Sequence, residues 1–294
     1  MRILQLIKVA WLRSIARAAM IALSMSIAVV LIVIHRADSR ASGQNDSPPV
    51  QANDASAFSV YAPYWSTEPG FVSTIEMMNY RVDESLTITP VLYPLGGGEI
   101  LLDPVTLDPS ETRLLNINEA LAARGETATV GAAEIRYNHV TEAVFGANLT
   151  AVNVNKSLIY SAPLHGQEDV EQLEGIWWFW DSATEGFVAV QNTRAENITV
   201  TPTLYAQEHA YPLELLQLNP HEMKLINLRE NLRSLGQTAT EGGIQLVSSV
   251  AGAVVAAGSL DNPAIGFSAQ SEWAILNWRQ NDQSNWQQLG SCTR

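Results

Sequence analysis

Side chains that commonly act in catalysis are present in this chain, but their spacing matches no catalytic motif. The five histidines form no His-x-His pair, and Leu225 stands where a His-Glu-x-x-His motif beginning at His221 needs its second histidine. Those spacings bring two imidazoles to one zinc ion. Neither Gly-x-Ser-x-Gly nor Ser-x-x-Lys, which position a nucleophilic serine, occurs in the sequence. The pattern therefore predicts a protein that is not an enzyme and holds no metal ion or other cofactor.

The charged residues favour a solvated acidic surface over a charged binding site. The chain has 30 Asp and Glu against 17 Lys and Arg, a formal net charge of −13. Adjacent acids such as Asp83-Glu84 lack the Asp-x-Asp-x-Asp-Gly pattern of a common calcium loop. Nucleic-acid binding needs clustered positive charge, so the charge balance predicts no nucleic-acid partner.

Tryptophan provides the most unusual local feature, a run of four aromatic residues (WWFW) at 177–180. Exposed indole rings stack on sugars and anchor protein interfaces, whereas buried rings fill a core. Tyr64-Trp65 and Phe179-Trp180 each precede a Gly-Phe-Val segment, so we expect them to fill the cores of two copies of one module. Trp177 and Trp178 have no counterpart in that alignment. They are expected to pack between the modules, and ligand binding is the alternative that makes them the candidate ligand-binding residues.

The first forty residues predict export. Residues 18–34 contain no charged side chain, and a helix of that length spans about 25 Å. Four Lys and Arg residues precede this segment, so the positive-inside rule places the N-terminus in the cytoplasm. A cleaved signal peptide that ends near Ser39-Arg40-Ala41 is the alternative. Both interpretations place the chain from about residue 41 onwards outside the cytoplasm.

An internal repeat with a period of 111 residues organises the exported part. Leu107-Asp-Pro-Ser-Glu111 recurs as Leu218-Asn-Pro-His-Glu222, and the register is predicted to continue without a gap as far as Leu149 and Leu260. A period above about 100 residues is typical of a folded domain and too long for a solenoid unit. The sequence therefore predicts two tandem copies of one domain.

Alternation of apolar and polar residues dominates each copy, as in 86–93 (LTITPVLY) and 198–205 (ITVTPTLY). Alternation that is rich in Val, Ile, Thr and Tyr predicts half-buried strands. Pro90 and Pro202 lie within these segments and lack an amide donor, so we expect the segments at a sheet edge.

One short helix is predicted in each copy. It follows Asn118 in the first copy and Asn227 in the second, because asparagine is a common N-terminal cap. Gly125 and Gly236 are the predicted C-terminal caps.

Residues 86–115 and 198–226 share an order of strand, glycine-containing or polar turn, strand, Leu-x-Pro-x-Glu segment and strand. This order resembles the immunoglobulin-like β-sandwich modules of exported bacterial proteins, including adhesion-related ones. The resemblance implies a mainly β fold of two tandem immunoglobulin-like β-sandwich domains after an N-terminal transmembrane helix. It also implies a role in binding, spacing or surface display.

The predicted organisation has seven parts. They are a cytoplasmic stub (1–17), a transmembrane anchor or signal segment (18–34), a flexible spacer (35–61), a first β-sandwich (62–164), an acidic linker (165–175), a second β-sandwich (176–275) and a polar tail (276–294). The tail contains the only cysteine, Cys292, which is either a free thiol or part of an intermolecular disulfide.

These observations favour a non-enzymatic protein of the cell envelope, anchored in the membrane through residues 18–34. Its two modules are expected to bind, display or space an envelope protein or a glycan outside the cytoplasm. A soluble, secreted or periplasmic accessory module that binds carbohydrate or protein is the alternative. A hydrolase with a site between the modules is a third hypothesis. The oligomeric state is left open.

Overall fold

The computed structural model describes residues 56–264 and 266–271, and this part of the chain is mainly β-strand. The first half contains β1 (Ser56–Ser66), β2 (Phe71–Asn79), β3 (Leu86–Pro94), β4 (Ile100–Leu101), β5 (Val105–Leu107), β6 (Thr112–Asn116), α1 (Ile117–Ala123), β7 (Val130–His139), a 3-10 turn (Glu142–Val144), β8 (Phe145–Asn153) and β9 (Leu158–Pro163). The second half contains β10 (Gln172–Trp178), β11 (Glu185–Asn192), β12 (Ile198–Ala206), β13 (His209–Pro212), β14 (Leu216–Leu218), β15 (Met223–Asn227), α2 (Leu228–Ser234), β16 (Glu241–Ser248), β17 (Val254–Asn262) and β18 (Phe267–Ser271).

The predicted anchor at residues 18–34 and the tail with Cys292 lie outside the described residues. Within residues 56–264 and 266–271, neither helix has the length and apolar character needed to cross a bilayer.

The strands form four antiparallel sheets, and the two halves have the same sheet topology. Sheet A has the order β1-β7-β3-β4, with β5 also paired to β3, and sheet B has the order β6-β2-β8-β9. Sheet C has the order β10-β16-β12-β13, with β14 also paired to β12, and sheet D has the order β15-β11-β17-β18. Each strand of the first half thus has one counterpart in the second half, in the same position of the same kind of sheet.

Backbone pairing shows that the gapless repeat register predicted to Leu149 and Leu260 is wrong beyond β7. The amide of Tyr80 donates to Val144 O, and the amide of Thr193 makes the same bond to Ala253 O. Val144 therefore corresponds to Ala253, two residues before the predicted partner. Both connections, 140–144 and 249–253, contain five residues, and strand β16 is two residues shorter than β7. A shift of two residues keeps every side chain on the same face of its strand, so both halves keep the same pattern of burial.

The prediction that Pro90 and Pro202 lie on edge strands is wrong, although the physical reason behind it applies locally. Strand β3 lies inside sheet A, with β7 on one side and the two short strands β4 and β5 on the other. Pro90 falls between the segment that pairs with β4 and the segment that pairs with β5. Pro202 lies in the same way between the β13 and β14 pairings. A residue without an amide donor is thus tolerated because the ladder is interrupted beside it.

The two short helices are present, and the N-terminal cap of the first differs from the prediction. Helix α1 is capped by Asn116, whose side chain accepts from Glu119 N, whereas α2 is capped by Asn227 as predicted. Asn118 instead accepts from Ser73 N and donates to Phe71 O, which ties α1 to β2. Gly125 and Gly236 have φ angles of 69° and 68°, the left-handed conformation expected of a C-terminal glycine.

The two sheets of each half enclose one apolar cluster. In the first half, Ile135 of sheet A and Ile75 of sheet B belong to the same cluster, and in the second half Leu246 of sheet C and Val188 of sheet D do. Side chains alternate along a strand, so each sheet also has an opposite face that points away from its cluster. We call these opposite faces face A, face B, face C and face D.

Face A is buried against face D. Ala189, Met223 and Ala257 of face D belong to the apolar cluster of the first half. The ring of Tyr93 on face A stacks on His221, with centroids 4.8 Å apart and planes 9° apart. The four sheets therefore pack in the order B, A, D, C, and faces B and C lie at the two ends of this stack. At one side of the stack the edge strand β9 of sheet B also contacts the edge strand β18 of sheet D, where Ile159 N donates to Ser268 Oγ and Ser268 Oγ donates to Ile159 O.

Candidate functional site

Trp177, one of the two candidate ligand-binding residues, lies in the core of the second half. Its side chain is 2% exposed, and its indole N–H donates to Gly243 O at 3.0 Å. Trp65 makes the corresponding bond to Ala132 O at 2.7 Å and stands opposite Gly131, as Trp177 stands opposite Gly242. The counterpart of Trp65 is therefore Trp177. The expected pairing of Trp65 with Trp180 is wrong, because the two Gly-Phe-Val segments are not equivalent. Phe187 pairs with Asn227 as Thr74, and not Phe71, pairs with Asn116.

Trp178 and Trp180 differ from Trp177 in their surroundings. Trp178 is half-buried at the end of the edge strand β10 and packs against the cluster of the second half. Trp180 is 73% exposed, whereas Phe179 is buried with the guanidinium of Arg229 over its ring at 4.1 Å. The expectation that Phe179 and Trp180 both fill the core is thus confirmed for Phe179 and wrong for Trp180. Ligand binding through Trp178 stays a prediction.

A buried carboxylate on face A organises the most extensive polar network of the described residues. Glu134 on β7 is 4% exposed and accepts from Ser59 Oγ at 2.6 Å and from Tyr93 Oη at 2.6 Å. Arg136, two residues further along the same strand, places Nη2 3.0 Å from the carboxylate of Glu134. Tyr61 Oη also lies 3.3 Å from Glu134. The charge of Glu134 is therefore held by one cation and three hydroxyl donors.

The network shifts the pKa values of its members in opposite directions. Burial raises the pKa of Glu134, but hydrogen bonds from Arg136, Ser59 and Tyr93 outweigh burial and hold that pKa below its ordinary value. Burial, followed by the charge of Glu134, raises the pKa of Tyr61 to about 12. Burial and the bond to Glu134 raise the pKa of Tyr93 well above its usual range. At neutral pH the network thus holds one carboxylate, one guanidinium and two neutral phenols.

The network is also part of the contact between the two halves. Tyr61 Oη accepts from Gln167 Nε2 at 3.1 Å, and the same amide lies 3.4 Å from Thr193 O in the second half. Tyr93 bonds to Glu134 through its hydroxyl and stacks on His221 through its ring. Glu134, Tyr61 and Tyr93 of face A are thereby hydrogen-bonded, whereas both amide atoms of Gln191 and Nδ1 of His221 on the facing side are buried with no hydrogen-bond partner among the described residues.

Sequence reasoning did not identify this network, although one signal was present. In residues 130–139 (VGAAEIRYNH), two opposite charges stand two positions apart within a strand that is otherwise mostly apolar. Residues two apart share a face of a strand, and a buried charge needs a partner. At the equivalent positions of the second half the chain has Gln245 and Val247. This difference between the copies indicates that face A, unlike face C, is covered by another part of the protein.

A polar groove of about 430 Å³ lies at the end of face A, beyond the contact with face D. Its lining is rich in hydroxyl and amide groups, from Ser59, Ser85, Thr87, Thr89 and Asn138. Phe58 adds an apolar wall and stacks on Tyr137, with ring centroids 5.7 Å apart. Such a lining offers hydrogen bonds and one apolar surface to a small polar ligand.

Each basic side chain of the groove lies beside a carboxylate. Arg136 contacts Glu134 at 3.0 Å and Glu99 at 3.1 Å, so its charge is balanced within the protein. His139 places Nε2 3.5 Å from Glu84 Oε2, and its Nδ1 accepts from Thr141 N. The groove therefore carries no excess positive charge, and its chemistry suits a neutral polyhydroxyl or amide ligand better than an anion.

A smaller groove of about 160 Å³ lies at the equivalent place in the second half. It is lined by Asn197, Thr199 and Ser249 among others, where the larger groove has Ser85, Thr87 and Asn138. The two grooves share only this wall, because the smaller one is closed by Gln217, Leu218 and Asn219 and the larger one by Ala57, Phe58 and Ser59. Within the part of the chain that the structure describes, no group of three or more His, Cys, Asp or Glu side chains could hold a metal ion.

Comparison of the chain with protein-family models, with curated proteins and with solved structures finds no match.

Proposed function

We propose that this chain is a non-enzymatic envelope protein, anchored by residues 18–34, whose two immunoglobulin-like β-sandwich modules act as one rigid body outside the cytoplasm. This body binds or displays an envelope protein or a glycan at a fixed distance from the membrane. The single observation that carries the proposal is the burial of face A against face D. Two β-sandwiches joined only by a linker would move independently, and such motion defeats a spacing role.

The chemistry of the A–D contact supports rigidity. The contact combines apolar side chains such as Met223 and Ala257 with the hydroxyl and carboxylate network around Glu134. Separation of the faces would expose the apolar groups to water and would remove the stacking partner of Tyr93. Both effects favour the joined state.

Rigidity is tested by a distance measurement across the contact. Spin labels are attached at Val82→Cys and Leu215→Cys, two exposed loop positions in different halves, in a full chain that carries Cys292→Ser. We expect one narrow distribution of distances between the two labels in a double electron–electron resonance measurement. The same labels in an Ala257→Glu chain, which places a charge in the contact, should give a broad distribution. A broad distribution in the unaltered contact would contradict the proposal.

Membrane residence is tested separately by mass spectrometry of the mature protein. Retention of Met1 in the membrane fraction is expected for an anchor. An N-terminus near Ser42 in a soluble fraction supports the alternative, a secreted or periplasmic accessory module.

The groove on face A favours that alternative function, binding of a carbohydrate or peptide. Its hydroxyl and amide groups and the Phe58 wall are the groups that contact sugars, and its balanced charge suits a neutral ligand. Titration with neutral oligosaccharides, followed by calorimetry, tests it. Asn138→Trp should fill the groove and abolish binding, whereas Ser249→Trp at the equivalent place in the second half should leave binding unchanged.

A further inference from the structure

We propose that faces B and C, the two ends of the B-A-D-C stack, dock on each other between two copies of this chain. In this contact, face B of one copy packs against face C of a second copy. This inference goes beyond the proposed function, since it rests on the stacking of the sheets and not on membrane residence or on the groove.

The internal contact shows how such faces pack. Face C is the repeat counterpart of face A: Ile176, Gly243 and Tyr205 lie side by side on face C, as Ala132 and Tyr93 do on face A. Face B is likewise the counterpart of face D, because sheets B and D have the same strand order. A C–B contact between copies would therefore join the same two kinds of face as the A–D contact inside the chain.

Exposed apolar side chains are concentrated on these two faces. Nine of the exposed large apolar residues in the described part lie within strands, and seven of the nine are on face B or face C. Face B carries Val72, Met78, Leu114 and Ile159, and face C carries Ile176, Tyr205 and Val247. The terminal units of a repeat array usually present polar outer faces, which keep the array soluble. Leu114 and Ile176 are apolar and each is 66% exposed, so faces B and C lack the polar character of such outer faces.

The centres of the end faces differ from the internal contact in a way that predicts reversible association. Glu76 and Asn148 stand on face B where face D has Ala189 and Ala257. On face C, Glu174 accepts from Gln245 Nε2 at 3.0 Å. Both end faces thus carry a carboxylate, and the chain has a net charge of −13. Repulsion opposes association, so we expect association to strengthen as salt is added.

The proposed contact joins two different surfaces, so it leaves a free face B and a free face C at the ends of each pair. Such a head-to-tail contact extends into longer assemblies unless it closes into a ring. A contact of face B with face B, or of face C with face C, would stop at a dimer. This difference in symmetry makes the proposal testable with complementary variants.

The experiment measures energy transfer between full-length chains labelled with donor or acceptor at Cys292, in excess detergent so that the anchors are diluted. Ile176→Glu alters face C, and Leu114→Glu alters face B. Either variant alone should lower the apparent association constant at least about tenfold. A mixture of the two variants should recover association, as one-to-one pairs, because the first retains an intact face B and the second an intact face C.

Leu215→Glu is the matched control, since Leu215 is exposed and lies in a connection outside both faces. It should associate as the unaltered chain does. Absence of transfer in the unaltered chain at concentrations up to about 100 µM would overturn the proposal. So would a mixture that associates no better than either variant alone, or a control that loses association to the same extent.

Discussion

At the scale of single residues, one strand position distinguishes the two halves, because it is a buried carboxylate in the first half and an amide in the second. Glu134 and Gln245 are equivalent, and their side chains have the same shape, yet only the carboxylate is buried beneath another sheet. The charge is tolerated because Arg136, Ser59 and Tyr93 all bond to it. A buried ion pair adds little net stability, but removal of one partner leaves the other uncompensated.

Glu134→Gln should therefore destabilise the protein although it keeps the size of the side chain. We expect a loss of about 2 kcal/mol in the free energy of unfolding, because Arg136 is left without its nearest carboxylate in a partly buried site. Glu99→Gln removes the other carboxylate that contacts Arg136, but this one is half-exposed. The control should lose less than about 0.5 kcal/mol. Denaturant unfolding of both variants checks the difference, and equal losses would contradict the role assigned to burial.

The same carboxylate predicts a defined pH dependence. The pKa of Glu134 is lower in the folded chain than its ordinary value of 4.5, so the charged form stabilises the fold above that pH. As the pH falls through the folded pKa, the carboxylate takes up a proton and this stabilisation is lost. Protonated Glu and Gln have the same shape and charge. The unfolding free energies of the unaltered chain and Glu134→Gln should thus converge in acid, and a difference that stays constant from pH 7 to pH 3 would contradict the assignment.

Residue types alone predicted the conformation of Gly125 and Gly236, because a left-handed φ after a helix depends on local backbone geometry. They did not predict that Trp177, and not Trp180, is the counterpart of Trp65. That equivalence depends on strand register, because Phe187 corresponds to Thr74 and the two Gly-Phe-Val segments are three residues out of register. The register is visible only in the pairing of β2 with β6 and of β11 with β15.

At the scale of elements, each half uses one glycine to seat a tryptophan. Gly131 and Gly242 stand opposite Trp65 and Trp177, and a Cβ atom at either glycine would lie 2.6 or 2.5 Å from the ring carbon Cζ2 of its tryptophan. The added atom would also collide with the backbone oxygen of Tyr93 or Tyr205. Neither strand can move away without loss of its ladder hydrogen bonds.

Gly131→Ala and Gly242→Ala should each lower the free energy of unfolding by about 2–3 kcal/mol, the cost of overpacking a filled core. Gly243 is the matched control, because it neighbours Gly242 and its nearest contact to an added Cβ is Gly175 O at 3.5 Å. Gly243→Ala should be neutral or slightly stabilising, since alanine restricts the unfolded chain. Thermal unfolding of the three variants decides the matter, and a similar loss at Gly243 would show that steric fit to the tryptophan is not the cause.

The strand pattern could be predicted because alternation is a local property of each segment. The place of a strand in its sheet could not, as β3 and β12 show. Their prolines indicated edge strands, whereas both strands are internal and are flanked by pairs of short strands with a gap at the proline. The gap arises from segments 7–17 residues away in sequence, and no local pattern encodes it.

At the scale of the whole molecule, the repeat predicted two similar halves but not the order of their sheets. Face A meets face D because Ala189 and Ala257 leave room for a facing sheet, whereas the equivalent positions on face B are Glu76 and Asn148. These four residues lie on four strands, and their positions on a shared face follow only from the register of each strand. A comparison of the chain with itself does not give that register.

The A–D contact should make the two halves unfold together. We expect one calorimetric transition for the unaltered chain, since the cluster of the first half includes Ala189, Met223 and Ala257 from the second. Ala257→Glu would bury an unpaired charge in the contact, which costs several kcal/mol unless the faces separate. Each half retains its own cluster, so separation should give two transitions. Asn148→Glu introduces the same side chain at the equivalent position of face B and should keep a single transition. One unchanged transition in Ala257→Glu would show that the halves are coupled through some other contact.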